Sequence, residues 1–129
     1  MLLALEIKSQ LIAAKNNLSD IRDVIDKAST AIEKQPSKLH SDALRMSLVE
    51  SIIEFDSGSA EKVFNEINSP QKGHAIAAQK RLNARWWTMK SILNPSMAIV
   101  ALREAISLNK ATGCHHAAKQ LTARLHKLL

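Results

Sequence analysis

The chain has 129 residues, 46% of them apolar, with three glycines and three prolines, which allows one proper core and excludes a disordered or fibrous protein. Its net charge of +6 is unevenly held: residues 1–67 carry eight Lys/Arg against eleven Asp/Glu, a net of −3, and residues 68–129 carry ten against Glu104 alone, a net of +9. Cys114 is the sole cysteine, so no internal disulfide can form.

The opening Met1-Leu2-Leu3-Ala4-Leu5 is interrupted by Glu6 and lacks a basic lead, too short for a signal peptide or a membrane span. A soluble, cytoplasmic protein is the expectation. Ala and Leu dominate, Tyr is absent and the aromatics are Phe55, Phe64, Trp86 and Trp87. With helix formers plentiful and β-branched or aromatic runs missing, the fold class is all-α.

Apolar spacing predicts about seven helices. The first runs over 2–18 on Leu3, Ile7, Leu11 and Ala14. Ser19 is placed to cap the second, which carries Ile21, Val24, Ile25, Ala28 and Ile32 and stops before Pro36. The third opens near Ser41-Asp42 and carries Leu44, Leu48, Val49, Ile52 and Phe55. After the turn Asp56-Ser57-Gly58-Ser59, which holds several possible caps, the fourth uses Ala60, Val63, Phe64 and Ile67. Asn68-Ser69-Pro70 ends it, with Ser69 as cap and Pro70 as first position of the next element. The fifth, from about His74 to Leu93, is apolar on more than one face. Asn94-Pro95 opens the sixth, Thr112-Gly113 closes it, and the seventh runs from His115 to the end as a terminal capping helix.

The second helix of each pair repeats one pattern: Ile21-x-x-x-Ile25-x-x-Ala28, Ala60-x-x-x-Phe64-x-x-Ile67 and Ala98-x-x-x-Leu102-x-x-Ala105, about 38 residues apart. Repeats of roughly 2–36, 40–68 and 74–112, with a cap at 115–129, make one domain of antiparallel helical hairpins. Asn94-Pro95-Ser96-Met97-Ala98-x-x-x-Leu102-x-x-Ala105 resembles the second-helix signature of tetratricopeptide-like repeats. Residues 75–129 match best and are similar to the helical repeats of large bacterial transcriptional regulators. The departures are the period (34 in that family), Ile21 in the leading alanine position and the missing Leu-Gly pair of the first helix. The resemblance implies a right-handed array, or failing that a compact bundle, that binds protein segments along a face lined by the first helix of each pair.

Lys80-Arg81-x-x-x-Arg85-Trp86-Trp87-x-x-Lys90 is the densest chemical feature. Core or hairpin packing of the tryptophans is the leading reading, before a protein-binding anchor and a nucleic-acid contact. Neighbouring residues point about 100° apart, so one ring can be buried with the other at the edge. Arg103, Lys110, Lys119, Arg124 and Lys127 extend the basic half toward a stripe for an acidic partner or a nucleic acid. Cys114-His115-His116 are consecutive and diverge, which is wrong for a metal site. Asp20, Asp23 and Asp26 read as a solvated face near a helix start. Ser47 and Glu50 have no histidine partner nearby, and no phosphate loop or hydrolase motif occurs, so neither enzyme nor cofactor is expected.

The expectation is a non-catalytic interaction module, a regulator or adaptor that binds an acidic protein through the groove and the basic half. Nucleic-acid binding through residues 72–127 is one alternative. Self-assembly, a homodimer included, is the other, since the acidic part of one copy could meet the basic part of another.

Overall fold

The computed structural model describes residue 10 and residues 18–70 and 75–129. Among these the regular structure is entirely helical. α1 is Leu18–Glu33, α2 Lys38–Ile52, α3 Ser57–Asn65, α4 Ala77–Leu93, α5 Ala98–Ala111 and α6 His115–Leu128, with a 3-10 turn at Pro95–Met97. The all-α expectation holds. The first predicted helix lies outside the described residues apart from Gln10 and Leu18, so α1 to α6 correspond to the second to seventh predicted helices. The chain forms two compact units that divide between Asn68 and Ser69.

In the first unit α2 packs against both α1 and α3. Ile21, Ile25, Ala28 and Ile32 form one stripe of α1, spaced by three or four residues, and all are buried. α2 buries Leu44, Met46, Leu48, Val49 and Ile52 on more than one face, as a helix with two neighbours must. α3 adds Ala60, Val63 and Phe64, and Ile67 follows just beyond its end. Each fully buried aliphatic side chain of this kind contributes roughly 1.5–3 kcal/mol relative to exposure.

In the second unit α4 and α5 form a hairpin across the 3-10 turn, and α6 packs back onto α5. Leu102, Ala105 and Ile106 of α5 meet Ala118, Leu121 and Leu125 of α6, with Trp87 and Ile99 packed against this cluster. The turn between α5 and α6 is a Schellman motif. Cys114 N–H donates to Asn109 C=O at 2.8 Å, and Gly113 N–H to Lys110 C=O at 3.2 Å. The motif needs a left-handed residue, and Gly113 supplies it at φ 77°.

All nine positions of the repeated pattern are buried: Ile21, Ile25 and Ala28 on α1, Ala60, Phe64 and Ile67 at α3, and Ala98, Leu102 and Ala105 on α5. The pattern is therefore a burial pattern.

Several boundaries differ from expectation. Leu18, Ser19 and Asp20 are themselves helical, so Ser19 is not a cap. α2 starts at Lys38 because Ser37, not Ser41, takes the cap position and accepts from His40 N–H at 3.3 Å. Ser41 and Asp42 are buried inside that helix, and Phe55 falls in the turn after it. Asp56 is the cap chosen for α3 from the polar turn. Ser69 and Pro70 are not helical; α4 starts at Ala77 after Ile76, with no side-chain cap. Asn94 does not cap the backbone with its side chain either: its Oδ1 accepts from Ser96 Oγ at 2.7 Å, and a 3-10 turn precedes α5.

Candidate functional site

The basic cluster on α4 resolves into distinct environments. Arg81 is exposed, Lys80, Arg85, Trp87 and Lys90 are half-buried, and Trp86 is buried at 8% exposure. The two indoles meet edge to face, with centroids 4.9 Å apart and planes at 84°, an arrangement favoured by the ring quadrupole. Lys90 Nζ lies 5.7 Å from the centre of the Trp86 ring, a cation–π contact worth about 0.5–1 kcal/mol near a surface. One ring is thus inside, while the other packs at the edge of the α5–α6 cluster. Trp86 is covered, and Trp87 exposes only part of its ring for the base stacking that single strands use.

The other basic residues stand on outward helix faces. Arg103 and Lys110, seven residues apart on α5, are exposed, as are Lys119, Arg124 and Lys127 on α6. None of these five, nor Lys80 or Arg81, joins an ion pair among the described residues. Glu104, the lone acid of residues 68–129, is exposed on α5. His115 and His116 are exposed at the start of α6, and half-buried Cys114 receives a weak hydrogen bond from Thr112 Oγ1 at 3.6 Å. Among the described residues no three His, Cys, Asp or Glu side chains converge as metal ligands.

In the first unit Asp20, Asp23 and Asp26 are all exposed on α1. Ser47 Oγ donates to Ala43 C=O at 3.2 Å, a bond within its own helix, and Glu50 is exposed.

Two features there escaped sequence reasoning. The first is a charged cluster around buried Asp42, whose Oδ1 accepts from Lys38 Nζ at 2.7 Å and Arg45 Nη1 at 3.2 Å. Arg45 Nε also comes within 3.8 Å of Glu66 Oε2, linking α2 to α3. The signal was present as Lys38-x-x-x-Asp42-x-x-Arg45, the spacing at which helical side chains meet. The second is a cleft of ≈ 270 Å³ between α1 and α3, lined by Arg22, Ile25, Asp26, Ser29, Ser59, Lys62, Val63 and Glu66. It lies between the second and fourth predicted helices, the second members of their pairs. Each of its cations has a carboxylate four residues on, so the lining is electrically balanced.

Beside that cleft, Asp56 caps α3 by accepting from Gly58 N–H at 3.1 Å, Ser59 N–H at 3.4 Å and Ser59 Oγ at 2.5 Å. The Ser59 hydroxyl holds the carboxyl below its ordinary value. Partial burial opposes this, while the two backbone donors and the Arg22 charge reinforce it.

No family model, curated protein or solved structure matches the chain. No helix among the described residues is long and apolar enough to cross a membrane.

Proposed function

We propose that the chain is a non-catalytic, cytoplasmic protein-interaction module, a regulator or adaptor of tetratricopeptide-like build, whose basic half binds an acidic protein segment. The observation that carries this reading is the display of exposed cations on α4, α5 and α6 with a single acid in the same half. An unneutralised surface of one sign attracts and orients a partner of the other sign. Burial of the nine repeat positions supports the repeat architecture, since that pattern is what stacked hairpins use to approach closely. A protein partner is favoured over nucleic acid because Trp86 is buried and Trp87 is partly taken up in packing, which leaves charge with little ring surface for stacking.

The test is capture from nuclease-treated extract of the native host at low salt, by the native chain and by a variant in which the exposed Arg81, Arg103, Lys119, Arg124 and Lys127 are all reversed to Glu. An acidic protein held by the first and released by the second supports the reading. Retention that depends wholly on nucleic acid overturns it.

A further inference from the structure

We propose that the outward face of α6, centred on Lys119, Arg124 and Lys127, is the surface on which the acidic segment docks. This rests on the protein-binding reading above and fixes where in the basic half it acts. α6 packs onto α5 along one seam of Ala118, Leu121 and Leu125, and the remainder of the helix is mostly exposed. Its three cations are exposed and span residues 119–127, roughly 12 Å of helix, within reach of a short segment bearing several carboxylates. Gln120 and Ala123 lie exposed between them, neutral and compact enough for a chain to lie close. No Asp or Glu occurs anywhere on α6. The α4 cluster is less available: Arg85 and Lys90 are half-buried, and Lys90 is seated over Trp86.

Charge complementarity selects this occupant over the others. A second copy carries +6 overall and offers only −3 in residues 1–67, so two copies repel at long range. A nucleic acid finds no tryptophan, tyrosine or phenylalanine on α6, only the small imidazole rings of His115, His116 and His126. A bilayer finds the apolar seam of α6 turned against α5, with only Leu128 and Leu129 exposed at its end, too little for an inserting face.

The experiment titrates the full chain with a fluorescent peptide of alternating glutamate and serine at low salt, read by anisotropy. Binding should weaken roughly tenfold in Lys119→Glu/Arg124→Glu/Lys127→Glu, since three attractions become repulsions. The variant Lys119→Gln/Arg124→Gln/Lys127→Gln should weaken it less, and carries the test if charge reversal unfolds the chain. Arg81→Glu/Arg103→Glu should stay within about twofold of native. Circular dichroism checks that each variant keeps its helicity. Binding untouched by both α6 variants but lost in Arg81→Glu/Arg103→Glu overturns the placement and leaves the protein-binding reading standing. Failure of the native chain to bind the peptide removes that reading itself. Complete displacement by a duplex oligonucleotide of equal charge, or a doubled mass without peptide, assigns the face to another occupant and also overturns the proposal.

Discussion

Arg45 donates to Asp42 at 3.2 Å with the two side chains only 13% and 9% exposed. Lys38, by contrast, reaches the same carboxylate oxygen from a side chain that is 57% exposed. The first pair is held largely out of water, where removing Asp42 leaves Arg45 only its longer 3.8 Å contact with the more exposed Glu66. Asp42→Asn should therefore destabilise the fold by about 2–3 kcal/mol, measured by urea unfolding. Lys38→Ala should cost less than about 1 kcal/mol. Equal losses from the two substitutions would contradict this ranking.

The Asp56 cap makes a separate prediction about acid. An unfolded aspartate titrates near ~3.9, and the Ser59 hydroxyl holds this one lower in the folded chain. The folded state therefore binds fewer protons between the two values, so the carboxylate stabilises the fold above the unfolded value. That contribution is lost as pH falls through the folded value. Asn caps a helix about as well as Asp, so Asp56→Asn removes the charge and keeps the cap. Native protein should be the more stable at neutral pH, and the two should converge as pH falls below the unfolded value and through the lower folded one. A difference that stays constant from neutral to acid pH would sink the argument. Asp56→Ala, which loses the cap as well, should cost about 1 kcal/mol at neutral pH.

The tryptophans give the third prediction. Trp86 is buried and Trp87 only half-buried, so truncating them should have unequal effects. Trp86→Ala should cost about 3–5 kcal/mol through the cavity it opens. Trp87→Ala should cost about 1–2 kcal/mol, for the smaller area it removes from water. Urea unfolding distinguishes them, and the reverse order would mean that the buried ring is the dispensable one.

Helix faces were legible in the sequence because burial imposes a period that apolar residues display. The stripe Ile21, Ile25, Ala28 and Ile32 needs nothing else to be read. Helix starts were less legible because several residues compete for one cap. Ser37 and Ser41 are equally good chemically, and the choice between them depends on how α2 meets α1: Ser41 Oγ lies within 3.4 Å of Ile32 C=O. Before α4 the difficulty is reversed, since Ile76 leaves no polar mark at all.

The candidate site divides along the same line. The basic residues were visible as composition, and their exposure followed from the helical period. Burial of Asp42 was not visible, because a carboxylate near an expected helix start reads as a dipole partner until its two cations are placed around it. The α1–α3 cleft was not visible either, since it depends on how the flanks of two helices approach.

The 38-residue spacing also limits where the chain can change in length. A helix turns about 100° per residue, so one residue inserted within α1, α3 or α5 would swing every later position of that helix away from the core. Ile25, Phe64 or Leu102 would then face water while a neighbouring charge turned inward. The turns at 34–37 and 53–56 impose no such phase. Insertions and deletions are therefore tolerable between the helices and ruinous within them, which gives the gene coding for this chain a punctuation set by geometry.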